Sequence, residues 1–323
     1  MISIAGTSGS RRSSRASAPI SSASATAEPG NAVLGLSGKI GAGVGAVLLL
    51  GIAASWGVGS LLVHGTASPV APPQAPAHEV GLRARDGSAI SGSYWPGRTA
   101  NAPAILFLHG VGASREQTAP VAAWFAAQGY AALAIDLRGH GRSAITDHSF
   151  GLDEGLDARA AFDWLKKQQR GARVGVVGVS LGGAATLVGR DGAVPADALV
   201  LVAVFSDIRR AIYNRLATQL TPVGGAIGEP FLSLQSLPRF GVWPSRISPI
   251  AAIADYHGPV FVVGGAEDRF TPGDETRALY DAAPGPKSLW LVPGRDHARV
   301  TNMHDAEWYR RLADFFRATI GSP

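Results

Sequence analysis

The sequence predicts an α/β domain on a mostly parallel, doubly wound sheet, with a small cap inserted late in the chain and a single transmembrane helix ahead of it. Three observations carry this. From residue 103 onward, short apolar runs rich in Val, Ile, Leu and Ala alternate with helix-like stretches, as buried parallel strands alternate with the helices that cover them. Residues 173–187 join a β-branched run to a small-residue helix through Gly178-Val-Ser180-Leu-Gly182, a strand, a sharp turn and a helix in succession. Residues 40–63 contain no charged side chain at all.

Taken in order, residues 1–39 are rich in Ser, Ala and Gly and carry Arg11, Arg12, Arg15 and Lys39 against Glu28. Too few apolar groups are present to build a core, so a disordered basic tail is expected. This tail holds +3 of the chain's net charge of +5, so the folded part is nearly balanced and no nucleic-acid surface is expected. Residues 40–63 include Val47-Leu-Leu-Leu50 and Ser60-Leu-Leu-Val63; at about 1.5 Å per residue they cross a hydrocarbon core of roughly 30 Å. With basic residues before this segment and none after it until Arg83, the tail is expected in the cytoplasm and the domain outside. Secretion after signal cleavage near Gly65-Thr-Ala67 is the alternative, with an apolar run longer than signal peptides use. Residues 64–77, with Pro69, Pro72, Pro73 and Pro76, read as a semi-rigid stalk.

The domain itself is expected over residues 78–323. Residues 78–95 alternate around Asp86-Gly87 as an opening β-hairpin. Pro103-Ala-Ile-Leu-Phe-Leu108 is a strand running into His109-Gly110-Val111-Gly112; residues 115–129 are helical through Val121, Trp124 and Phe125. Residues 131–135 are strand, and Asp136-Leu-Arg-Gly-His-Gly-Arg-Ser143 a glycine-rich turn. Residues 151–168 form a helix burying Leu156, Ala160, Phe162 and Leu165. After the strand–turn–helix at Ser180, residues 198–205 form another buried strand. Residues 206–255 then lose the rhythm at Pro222, Pro230, Pro238, Pro244 and Pro249, an insertion over the sheet's carboxyl edge that reads as a cap. Its Ile212, Tyr213, Leu216, Phe231 and Trp243 either line an apolar pocket or form the cap's own core. Strands at 259–263 and 288–292, a helix at 274–283 and a terminal amphipathic helix at 304–319 complete the pattern.

No cysteine is present, which excludes disulfides, thiol catalysis and cysteine-rich zinc sites. No histidine pair has zinc-ligand spacing, so neither metal nor other cofactor is expected. The residue types around Ser180 suit nucleophilic chemistry. A serine on a strained strand-to-helix turn projects its hydroxyl from the sheet edge, and Gly178 and Gly182 let strand and helix approach. The backbone N–H of Leu181, at the helix start, faces the place where an oxyanion would develop. Such a serine needs a base and a carboxylate, which in this kind of fold follow it in the order acid, then histidine. Asp268 follows the strand at 259–263 and His297 the strand at 288–292, so both are delivered to the same edge. Asp207 is an alternative acid, whereas Glu267 and Asp296 adjoin the chosen residues and point elsewhere. His109 and His140 precede the serine and are read as structural, with the N–H of Val111 as second oxyanion donor. His304 is read as a cap or surface residue.

Leu108-His-Gly-Val111, the turn 136–143, Gly178-Val-Ser-Leu-Gly182, Gly265-Ala-Glu-Asp268 and Gly294-Arg-Asp-His297 together resemble the successive landmarks of the alpha/beta hydrolase superfamily over about residues 78–320. Within it the chain is similar to the serine aminopeptidase, monoacylglycerol lipase and dienelactone hydrolase-like groups, which include membrane-anchored members. The resemblance implies a serine hydrolase acting on a small-molecule acyl substrate: a carboxylic ester, or a thioester or amide. Cofactor-free haloperoxidase-like perhydrolysis would use the same triad, and a non-catalytic binding domain would use the same fold. Dehalogenase chemistry would need Asp, not Ser, at the elbow.

Overall fold

The computed structural model describes the backbone from residue 29 and side chains from residue 41 onward, with that of Lys39. Residues 1–28 of the expected disordered tail lie outside the described residues. Two units are distinguished, Met1–Gly51 and Ile52–Pro323. The apolar segment is helical, α1 (Pro29–Val63), and its Gly41–Val63 part is long and apolar enough to cross a membrane. The helix starts ahead of the charge-free run, so residues 29–39, expected in the tail, are its first turns. Pro29 has the fixed φ that suits a first helical position.

Eight strands form one sheet: β1 (His78–Arg83), β2 (Ala89–Trp95), β3 (Ala104–Leu108), β4 (Ala131–Ile135), β5 (Val174–Val179), β6 (Ala198–Val202), β7 (Val260–Gly265) and β8 (Lys287–Val292). Their spatial order is β1-β2-β4-β3-β5-β6-β7-β8. The opening hairpin pairs antiparallel and β2 adds antiparallel to β4; β4, β3 and β5 through β8 are parallel. β3, β4, β5, β6 and β7 are buried along their whole length. This is why they read as unbroken apolar runs rather than alternating ones.

The helices are α2 (Ala119–Ala127), α3 (Glu154–Gln168), α4 (Leu181–Val188), α5 (Ile208–Gln219), α6 (Pro222–Ser233), α7 (Ser236–Phe240), α8 (Pro249–Ile253), α9 (Gly273–Ala282), α10 (His297–Thr301) and α11 (Ala306–Thr319). Two apolar layers result. One joins Leu106, Leu133 and Val176 of the sheet to Leu156, Phe162, Leu187, Ile253 and Leu279 of α3, α4, α8 and α9. The other joins Ile105, Phe107 and Val177 to Phe125, Leu312 and Phe316 of α2 and α11. Helices on both faces leave the carboxyl edge of the parallel strands as the place where loops converge.

The expected insertion at 206–255 holds α5 through α8, between β6 and β7. Each proline that broke the sequence rhythm opens a helical turn or sits within one: Pro222, Pro244 and Pro249 stand at first turns, Pro230 inside α6 and Pro238 inside α7. Phe231 and Trp243 are exposed, so neither is cap core; Ile212, Tyr213 and Leu216 are half-buried or buried at most in part. The Pro-rich stretch at 64–77 is not a free spacer. Thr66 and Ser68 donate backbone N–H to the carbonyls of Gly139 and Gly141 (2.9 and 3.2 Å), and Ala71 donates to Glu116 Oε1 (2.8 Å). Val70 is buried. Proline composition set the expectation of a stalk, but the residues between the prolines keep donors that the domain accepts.

Candidate active site

Ser180 sits between β5 and α4 at φ 47° and ψ −107°, a positive-φ conformation that non-glycine residues rarely adopt and that costs on the order of 1–3 kcal/mol. The backbone amide of Ser180 donates to Val202 O (2.8 Å), which pins the turn to β6. Flanking glycines are needed for close approach: a Cβ on Gly178 would meet Gly183 Cα at 2.5 Å, and one on Gly182 the carbonyl oxygen of Leu108 at 2.5 Å. The turn therefore stays tight, leaving Leu181 as first residue of α4, where N–H groups have no intrahelical acceptor.

Asp268 follows β7 and its side chain is fully buried. Its Oδ1 accepts the backbone N–H groups of Phe270 (2.8 Å) and Thr271 (2.9 Å), and its Oδ2 accepts Thr271 Oγ1–H (2.6 Å). His297, the first residue of α10, places Nδ1 2.7 Å from the same Oδ2. Burial pushes the Asp268 carboxyl up, but the hydrogen bonds from His297 and Thr271 outweigh it and hold the pKa below the ordinary value. An ionised carboxylate accepting from Nδ1–H fixes the tautomer that leaves the lone pair on Nε2. The ring of Phe270 stands edge-on to the imidazole at 5.5 Å, with the Arg215 guanidinium of α5 4.5 Å over that ring.

Among the described residues no hydrogen bond joins Ser180 Oγ to His297. The competing groups are engaged elsewhere. Asp207 caps α5, accepting Arg210 N–H (3.0 Å), and Asp296 caps α10 through Arg299 N–H (2.9 Å). His304 is exposed, ahead of a final helix that begins at Ala306 with Asp305 as its cap.

The loop after β3 is built by buried histidines. His109 Nε2 accepts Leu137 N–H (3.0 Å) while Nδ1 donates to Gly110 O (2.8 Å). Burial, reinforced by neighbouring His140, pushes its pKa down to about 3. His140 Nε2 accepts Gly112 N–H (3.0 Å) and its ring stacks on His148 at 4.2 Å. Asp136 secures the glycine-rich turn by accepting Arg115 N–H (2.7 Å) and Arg142 N–H (3.0 Å). Val111 therefore hangs between two tethered residues, and its own N–H has no acceptor among the described residues.

Two residues escaped the sequence reading. Thr271 holds the carboxylate that holds the imidazole, and the signal for it is the Asp-x-x-Thr spacing of a local side-chain turn. Gln117 accepts Gly110 N–H at Oε1 (2.8 Å) and reaches Thr301 O and Asn302 Oδ1 with Nε2 (3.4 Å each). It thus ties the Val111 loop to the helix that begins with His297. Nothing local in the sequence marks it, since its partners are far along the chain.

A sheet in this order, with a tight serine turn after its fifth strand and loops converging at the carboxyl edge, is that of an alpha/beta hydrolase. The pattern of the family described as "Serine aminopeptidase, S33" matches residues 99–232. An uncharacterized protein of Mycobacterium tuberculosis H37Rv is 32% identical over 222 residues, 68% of this chain and 72% of that protein. The chain belongs to this S33 family of hydrolases. YfhR of Escherichia coli K12 is 25% identical over 253 residues, 76% of this chain and 82% of its own. Among solved structures, the Pyrococcus furiosus esterase Pf2001 superposes with TM-score 0.64 at 22% identity, covering 80% of this chain and 99% of that one. The Thermogutta terrifontis esterase Est2 gives TM-score 0.58 at 21% identity, covering 77% and 95%.

Proposed function

We propose that the protein is a membrane-anchored serine hydrolase that cleaves carboxylic esters, with Ser180 as nucleophile, His297 as general base and acid, and Asp268 as the carboxylate that orients it. The observation that carries the reading is the 2.7 Å contact between His297 Nδ1 and a buried Asp268 that also accepts three hydrogen bonds from Phe270 and Thr271. The strained backbone of Ser180 supports the nucleophile. Ser180 Oγ attacks the acyl carbon as its proton passes to His297 Nε2. The carbon–oxygen bond to the alcohol then breaks and the alkoxide leaves with that proton. Water repeats the sequence to release the acid and restore the serine.

The amides of Val111 and Leu181 are the proposed oxyanion donors; each such donor contributes about 3 kcal/mol to the transition state. Ser180 Oγ closes on Nε2 when substrate binds, since catalytic hydrogen bonds are often long in a ligand-free enzyme. α1 crosses the membrane, with the N-terminal tail cytoplasmic and the domain outside, as its flanking charges favour.

Reaction of the full-length protein with a fluorophosphonate probe tests the site: labelling of the parent and its loss in Ser180→Ala is expected. Labelling that persists in a folded Ser180→Ala protein removes the assignment. Protease protection in intact cells tests the orientation, and a protected catalytic domain reverses it.

A further inference from the structure

We propose that the cap is a membrane-docking surface: α6 and the residues flanking it lie in the outer face of the bilayer that α1 crosses, so the domain sits down on the lipid instead of standing off it. The proposal rests on the reading of α1 as a membrane helix and adds a second, independent contact with the same bilayer.

The first observation is a stripe. Val223, Ile227 and Phe231 of α6, with Leu234 at its C-cap, are 68, 63, 49 and 51% exposed, and they recur at intervals of three and four residues, one face of a helix. The opposite face carries Gly225, Glu229 and Ser233, which are buried. Glu229 is the one charged residue of α6, and Arg209 pairs with it through both carboxylate oxygens (2.8 and 3.0 Å). With its sole charge turned inward and paired, this stripe can be laid against lipid without taking a charge out of water.

The second observation identifies the occupant. The last turns of α1 are bonded to this same part of the cap. Ser55 Oγ donates to Phe231 O (3.0 Å), and Gln235 Nε2 donates to Ser55 O (3.0 Å). The Arg239 guanidinium lies 4.0 Å over the Trp56 ring and donates to Trp56 O and Ser60 Oγ (2.9 Å each). Ser55 precedes the end of α1 by eight residues, about 12 Å along the axis. If α1 continues through the outer leaflet to Val63, helices bonded to it at Ser55 and Trp56 must themselves reach the headgroup and upper acyl region. An interfacial helix buries itself by roughly 5–10 Å, which matches. A Trp is also a residue that a membrane boundary favours.

The third observation removes the alternative of a raised domain. His148 donates its backbone N–H to Val63 O (2.6 Å), and Thr66 and Ser68 pair with Gly139 and Gly141. The chain passes from the helix end directly onto the domain, leaving no slack to lift the cap away.

The absence of cysteine makes each introduced cysteine a unique labelling site. Full-length Leu49→Cys, Ile227→Cys and Arg310→Cys, each labelled with an environment-sensitive fluorophore, would be reconstituted in phosphatidylcholine–phosphatidylglycerol vesicles containing spin-labelled lipids. Quenching of about twofold or more at 49 and 227, with 227 quenched best by shallow spin labels, and none at 310 on the polar outer face of α11, is expected for an interfacial helix. Quenching at 49 without quenching at 227 overturns the docking and leaves the anchor standing. Quenching at 227 but not at 49 supports the docking and removes the span. Equal quenching at 227 and 310, or at neither 49 nor 227, overturns the docking.

Discussion

Replacing Asp268 by asparagine changes one atom, and the surrounding donors dictate how that atom must sit. Oδ1 accepts two backbone N–H groups, from Phe270 and Thr271, and neither donor can be reversed. The introduced carboxamide must keep its oxygen there and direct its NH2 to the place of Oδ2, toward Thr271 Oγ1 and His297 Nδ1. The hydroxyl of Thr271 can turn to accept; the imidazole can accept only by moving its proton to Nε2. That tautomer has no lone pair for the serine proton. The same carboxylate-to-amide change in a serine protease triad lowers kcat by about 10⁴ with geometry preserved, equal to about 5 kcal/mol of barrier. Asp268→Asn should therefore lose roughly 10³–10⁴ in kcat for p-nitrophenyl acetate with little change in KM, while near-ultraviolet circular dichroism and melting temperature stay close to the parent. The companion variant Asp207→Ala should lose a helix cap, about 1 kcal/mol of stability, and keep its turnover. A folded Asp268→Asn protein within tenfold of the parent, or an Asp207→Ala protein that is folded and inactive, would refute the argument.

The strain at Ser180 predicts that Ser180→Gly is more stable than Ser180→Ala by about 1 kcal/mol in urea denaturation, since glycine alone accepts φ 47° without cost; equal midpoints would count against strain at the turn. Gln117→Leu leaves Gly110 N–H without its acceptor and loosens the Val111 loop, so kcat should fall about tenfold or more with KM held, as expected of a transition-state interaction. Loss confined to KM would place Gln117 outside this role. Burial, with a lesser contribution from His140, holds the His148 pKa down to about 4. The unfolded chain, with an ordinary value of about 6.5, takes up that proton first, so stability is full above about pH 6.5 and is lost as pH falls toward 4, by on the order of 3 kcal/mol. His148→Phe retains a ring against His140 and should flatten this part of the acid limb in urea titrations between about pH 7 and 4.5. An unchanged limb would move its cause to other groups.

Much of the sheet was legible because burial on both faces leaves little freedom. β3, β4, β6 and β7 are packed under helices from both sides, so nearly every position is apolar and the runs announce themselves. The elbow was legible for another reason: Gly178 and Gly182 meet backbone atoms, not side chains alone, so no substitution elsewhere could relieve a Cβ there. Asp268 and His297 were reachable because topology orders the strand ends, and the pair was expected where the strands stop. Thr271 and Gln117 were not, because their roles consist of hydrogen bonds whose geometry has no period and no composition.

Residues 64–77 show the opposite case, in which composition does not decide the structure. Four prolines in residues 64–77 do stiffen the chain, but stiffness does not decide whether a segment stands free. That depends on where the remaining N–H groups go, and Thr66, Ser68 and Ala71 give theirs to the domain. Within 206–255, Pro222, Pro244 and Pro249 stand at helix starts, since a residue without an N–H loses nothing in a first turn. Val223, Ile227 and Phe231 share one face of α6, which Gln235 and Arg239 hold beside the last turns of α1. The docking proposed above would cover a stripe that loses about 25 cal/mol for each Å² of apolar surface left in water.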